Sequence, residues 1–302
     1  MTRLDWRAAF VLLALTWGSS FAFIAIALRD LGPLEVAFAR CLLGALTLLG
    51  LVAALRDQLP RGREVWAHLF VVALLFNSVP FVLLGLGQER ISSSLTGLTN
   101  ATVPLMTALF TLALLPGDRP TPLRTAGLGL GFAGVVVVLG PWNGLGGSSL
   151  TGQLFVLGAT ACYGLAFVYT RRFVAHRDDS GLALSAAQLV WATGQLLVAT
   201  LLLGTAPDGL GAGPVLALLG LGCLGTGIAY VLNFHVVREA GVTTASTVTY
   251  LVPVVSTLLG VLALGDDLVW NEPVGAAVVL TGVAISARAA ARVPAPAPAR
   301  GS

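Results

Sequence analysis

Ten apolar runs dominate this chain, at residues 6–28, 33–55, 65–87, 92–115, 121–140, 150–174, 181–204, 214–237, 242–264 and 270–290. Short polar breaks separate them. A bilayer core about 30 Å thick takes roughly 20 apolar residues per helix, so each run suffices for one crossing. Only 10% of the residues are charged, against about 25% in soluble domains, and the mean hydropathy is +0.89. A soluble globule and a disordered chain are both excluded. The reading is an all-α polytopic membrane protein of ten transmembrane helices.

The first run follows Arg3 and Arg7 and mimics a secretory signal. Its length exceeds the usual signal core of about 7–15 residues, so a retained helix is expected. The Pro/Ala-rich segment 291–302 is expected to be a disordered cytoplasmic tail.

All 17 basic residues are arginine. Without lysine, Schiff-base and P-loop chemistry has no donor. The arginines are scattered through loops rather than striped along one face, which speaks against nucleic acid as a partner. Their placement orients the chain instead. With the amino terminus inside, fourteen lie in cytoplasmic segments, Arg29 and Arg90 lie outside, and Arg40 falls within a run. Arginine-rich loops stay on the cytoplasmic side. Both termini are therefore expected in the cytoplasm, with the lipid bilayer of the plasma membrane as the surrounding partner. Cys41, Cys162 and Cys223 sit in apolar runs without paired spacing, and read as small buried residues rather than a disulfide or metal framework.

The chain also repeats itself. Trp17-Gly18 and Phe21 match Tyr163-Gly164 and Phe167 at an offset of 146, and Pro104 matches Pro253 at 149. Gly117, Gly127 and Gly134 match Gly265, Gly275 and Gly282 at 148. Five runs per half is an odd number, so the second half must insert upside down. Two inverted five-helix repeats are expected, at residues 1–140 and 150–290, joined by an external linker at 141–149. Inverted repeats are a mark of secondary transporters, whose site lies near the midplane between the halves.

These residues resemble a known family. The stretch AYVLNFHVVREAGVTTASTVTYLVPVVSTLLGVLALGDD, residues 229–267, is similar to the repeat unit of the EamA-like branch of the drug/metabolite transporter superfamily. GLGQERISSSLTGLTNATVPLMTALFTLALLPGD, residues 85–118, echoes it, and WGSSF at 17–21 looks like the family's first-helix motif. One departure stands out. The family usually ends its fourth and ninth helices with Gly-Glu, and here Gly117-Asp118 and Gly265-Asp266 stand there. The resemblance implies a ten-helix exporter or permease of small organic metabolites, without cofactor.

Competing motifs weigh less. GLGFAG (129–134) and GLGCLG (220–225) fit a dinucleotide-binding spacing. Both fall inside apolar runs with no soluble strand before them, where glycines serve close helix packing. Intramembrane catalysis would need a histidine beside Ser19 or Ser20. His68, His176 and His235 all fall near cytoplasmic ends.

Candidate site residues follow from depth and from the prolines. Trp17, Asn77, Tyr163 and Thr226 fall near the middle of their runs, with Ser20 a turn from Trp17. Pro104 and Pro253 free the carbonyls of Asn100 and Thr249, loosening the helix at matched points of the two halves, and Tyr250 adjoins the second. Trp17 and Tyr163 serve either helix packing or a substrate path, and Asn77 and Asn100 either interhelical hydrogen bonds or the path. Arg40, about 10 Å into its run, either snorkels to the outer headgroups or serves as a gating or substrate charge. No Asp or Glu falls at a midplane to relay protons, and His235 is a faint candidate.

The function expected is secondary transport or export of a small metabolite, an amino acid or related amphipathic solute. A phosphate-bearing solute would need several intramembrane cations. A membrane enzyme would need a catalytic constellation, and an assembly factor has no use for a duplicated polar-lined core. No pattern specifies a coupling ion, a direction or an oligomeric state.

Overall fold

The computed structural model describes residues 5–114, 121–140, 142, 148–175, 177–205, 209–246 and 248–291. Every regular element among them is helical. Gly117-Asp118, Arg119, His176, most of the linker at 141–149 with Asn143, and the tail beyond residue 291 lie outside the described residues.

The helices are α1 Trp6–Ala27, α2 Pro33–Ala54, α3 Arg63–Ala73, α4 Val79–Gln88, α5 Ser93–Asn100, α6 Val103–Leu114 and α7 Pro122–Leu139. They continue as α8 Ser148–Phe173, α9 Gly181–Leu203, α10 Ala212–Leu219, α11 Ala229–Ser246, α12 Val248–Leu259 and α13 Asn271–Ala291. Stretches of π-helix at Leu74–Ser78 and Gly220–Ile228 join α3 to α4 and α10 to α11. Seven continuous helical units are long and apolar enough to cross a membrane; the apolar helices at Thr125–Leu139, Val248–Leu264 and Asn271–Ser286 are shorter.

The run expected as one helix at 92–115 is two. Ala101 and Thr102 donate back only three residues, to Leu98 and Thr99, at 3.1 Å each. Pro104 then falls in the first turn of α6, where a missing N–H costs nothing. Pro253 instead sits inside α12, so the two matched prolines act differently. Between the eighth and ninth runs the turn is made at Gly241, whose φ of 85° suits a residue without Cβ.

Small residues set the packing. On α7 and α13, Gly134 faces Gly275 and Gly127 faces Gly282. A methyl on Gly134 would lie 2.9 Å from the Gly275 carbonyl oxygen, and one on Gly275 would lie 2.9 Å from that of Gly134. Gly18 of α1 admits Val255 of α12, and Gly164 of α8 admits the Met106 backbone of α6. Val255 and Met106 are 149 residues apart, the offset of the two prolines. Within GLGCLG, Gly220 is pressed by Phe23, Gly222 by Leu43 and Gly225 by the Ser20 hydroxyl. GLGFAG lies in α7, with Gly131 against Leu105. Both glycine motifs are packing surfaces.

Gly265, at φ 74°, ends the π-helical Gly260–Leu264 that follows α12. Behind it, the Asp266 carboxylate accepts the Ser94 backbone N–H at 2.8 Å in the first turn of α5. An anion there meets the positive end of the helix. The Gly-Asp pair therefore fastens one half to the other.

Candidate functional site

A cavity of about 140 Å³ opens inside the bundle. Helix α1 contributes Trp17, Ser20, Phe21 and Ile24, spaced three to four residues apart and so on one face. Across from them, α8 contributes Tyr163 and Phe167 by the same spacing. Phe76 packs edge-on against both, with ring centroids 5.3 and 5.2 Å away, an arrangement aromatic rings favour. Phe81 and Leu84 of α4 and Val252 of α12 complete the apolar wall. Asn100, Val103 and Thr249 line it where α5 gives way to α6 and where α12 begins.

One cation belongs to this wall. Arg40, the eighth residue of α2, is 8% exposed. It does not snorkel. Its Nε donates to Thr226 Oγ1 at 2.9 Å, and Thr226 donates onward to the Leu221 carbonyl at 3.0 Å. The guanidinium carbon lies 3.7 Å from the Phe81 ring centroid, a cation–π contact that burial of the side chain strengthens. The sequence allowed either direction because the residue's depth is the same in both. Tertiary contacts turned it inward.

The expected site residues divide into two layers. Trp17, Ser20, Arg40, Asn100, Tyr163 and Thr249 all face the cavity. Asn77 does not reach it. It is wholly buried, accepts from Gln188 Nε2 at 2.6 Å and donates to the Tyr230 hydroxyl at 3.2 Å. Thr226 likewise stands behind the wall, holding Arg40. Tyr250 turns away and packs beside Leu105, Leu128 and Val279. Neighbours on a helix diverge by about 100°, and here Thr249 takes the cavity side while Tyr250 takes the other. Tyr230, Phe76, Phe81 and Phe167 were not singled out from the sequence. The signal for Phe167 was present, since it is the repeat partner of Phe21. For Tyr230 the signal was weaker: a polar aromatic two residues past a π-helical stretch.

Ser19 and Ser20 both donate to the Thr16 carbonyl, at 3.2 and 2.9 Å, which leaves neither paired with a histidine base. His68 bonds Tyr169 at 2.8 Å and stacks on Phe173, and among the described residues no histidine lines the cavity. Cys41, Cys162 and Cys223 are unbonded, on three different elements.

Hydrogen bonds join α2 and its flanking turns to α9 and its flanking turns at both ends. Where α1 ends and α2 begins, Gly211 N–H donates to Asp30 Oδ2 and Thr205 N–H to Glu35 Oε1, each at 2.7 Å. At the opposite end the Ser180 hydroxyl donates to Asp57.

The model of the EamA-like transporter family matches this chain twice, over residues 6–140 and 150–288. The chain belongs to that family. This EamA-like chain is 28% identical over 281 residues to an uncharacterised transporter of Archaeoglobus fulgidus, covering 90% of this chain and 95% of that one. It is 25% identical to the uncharacterised transporter YoaV of Bacillus subtilis, over 89% of this chain and 92% of YoaV. It is also 26% identical to the uncharacterised inner membrane transporter YedA of Escherichia coli K12, over 85% and 82%. A solved crystal structure at 22% identity superposes with a TM-score of 0.66, covering 96% of this chain and 99% of its own. The EamA-like cavity takes Trp17, Arg40, Phe81 and Asn100 from the first matched segment, and Tyr163, Tyr230 and Thr249 from the second.

Proposed function

We propose that this EamA-like protein is a secondary transporter of a small amphipathic organic solute, an amino acid or a related metabolite, working by alternating access. Its two halves, residues 1–140 and 150–290, are five-helix repeats of opposite orientation that rock about the shared cavity. Ten spans place both termini in the cytoplasm. One observation carries the reading: Trp17 and Tyr163, partners in the repeat, face one cavity between the two family-matched segments.

Further support comes from symmetry and size. The contacts of Gly134 with Gly275, and of Gly18 and Gly164 with positions 149 residues apart, are reciprocal, as a two-fold axis between inverted halves requires. A cavity of about 140 Å³ is close to one of about 150 Å³ that takes up benzene. Mostly aromatic walls with few polar groups suit a small body bearing one polar head.

Purified protein in sealed proteoliposomes tests this. A panel of radiolabelled amino acids and small organic acids should include solutes that show saturable counterflow and are recovered chemically unchanged. Flux no greater than in empty liposomes across the panel, or conversion of the solute, rejects the reading.

A further inference from the structure

Arg40 has two more nitrogens than its hydrogen bonds use. Nε is held by Thr226. Among the described residues, neither Nη1 nor Nη2 donates to any group, and no carboxylate pairs with the side chain. The ionisable groups around it are Tyr163, Tyr230 and Cys41, all neutral at pH 7 at their usual values. An isolated buried charge is costly, and buried arginines are found paired. Phe81 and Thr226 hold this guanidinium through its carbon and Nε, and the side chain lines the cavity with both Nη atoms unspent. The outer edge of a guanidinium is a two-donor fork that matches a carboxylate.

The rest of the wall decides the solute's other end. Among the described residues no Asp or Glu lines the cavity, so an ammonium bound there would meet only neutral oxygens such as those of Asn100 and Thr249. A zwitterion would exchange one unpaired buried charge for another, whereas a net monoanion leaves none. A phosphate dianion would exceed the single cation. Resting on the transport reading above, we infer that the solute is an organic monocarboxylate with an apolar or aromatic body, its carboxylate held by the Nη edge of Arg40 beside Phe81.

Thermal unfolding and calorimetric titration of the purified full chain at pH 7 test the assignment. The probes are butyrate, hexanoate, benzoate and 3-phenylpropionate, each against its primary amide, with phenylalanine as the zwitterionic match of the last. At least one acid should bind about tenfold to a hundredfold more tightly than its amide, and 3-phenylpropionate should exceed phenylalanine. Arg40→Gln should unfold at or above the parent's temperature without ligand, because an uncompensated charge is gone, and should lose the preference for acid over amide. Arg40→Lys should keep a weaker preference, having charge without the fork. Binding by no acid, amides equal to acids, phenylalanine tighter than 3-phenylpropionate, or an unchanged preference in Arg40→Gln each overturns the inference. An acid that binds through Arg40 but shows no counterflow overturns the transport reading alone. Counterflow of other solutes that is indifferent to Arg40→Gln overturns this inference alone.

Discussion

The Arg40 guanidinium stands over the Phe81 ring with its carbon 3.7 Å from the centroid. The ring holds the cation against α4, where the side chain also lines the cavity. Phe81→Leu keeps the apolar volume but removes the π face, a contact of about 0.5–2 kcal/mol. The variant should fold, and its affinity for the preferred solute should fall by about two- to thirtyfold. Phe81→Tyr should restore most of that loss. Calorimetric titration of both variants reads it.

Thr226 receives the only hydrogen bond that Arg40 makes to the protein among the described residues. Thr226→Val is nearly isosteric and leaves a buried N–H on a charged group without an acceptor. It should cost about 1–3 kcal/mol of stability, seen as a lower unfolding temperature in detergent, whereas Thr226→Ser should recover it. An unchanged melting temperature in Thr226→Val would show that Arg40 finds another acceptor.

The α7–α13 contact makes a different demand. A methyl on Gly134 would come 2.6 Å from the Val279 backbone nitrogen, while one on Gly129 meets nothing within 4 Å. Backbone cannot turn aside as a side chain does. Gly134→Ala should therefore destabilise by about 1–3 kcal/mol, and Gly129→Ala should be neutral or stabilising by up to about 1 kcal/mol through helix propensity. Opposite shifts in unfolding temperature are the expected result.

Asn77 is buried behind the wall and donates to Tyr230, which lines it. Its effect on transport should pass through that hydroxyl. Asn77→Ala and Tyr230→Phe should each reduce counterflow several-fold, and the double variant should be little worse than either single one. Fully additive losses would separate the two residues.

Orientation is tested in the linker between the halves. Asn143→Cys, in a background with Cys41, Cys162 and Cys223 replaced by serine or alanine, should react with an impermeant maleimide added outside intact cells. Labelling only after the membrane is broken would reverse the assigned topology.

The all-helical class and the apolar helices were legible locally in the sequence. An apolar run long enough for a bilayer becomes a helix because every backbone group must find its partner within the segment, whereas glycines 127, 134, 275 and 282 were legible only as a repeat, and that they meet across α7 and α13 came from the packing. Pro104 located the break before α6, but the matching break is absent at Pro253, since that proline sits inside α12. What the sequence did not determine was which way each side chain turns. In water, polarity separates the buried face of a helix from the exposed one, but in lipid both faces are apolar and that signal fades. Hence Arg40 could be placed at its depth without its direction, Asn77 could not be told from a wall residue, and Tyr250 was grouped with Thr249. Only tertiary packing decided these: Thr226 and Phe81, 186 and 41 residues from Arg40 in sequence, turned that buried cation into the cavity.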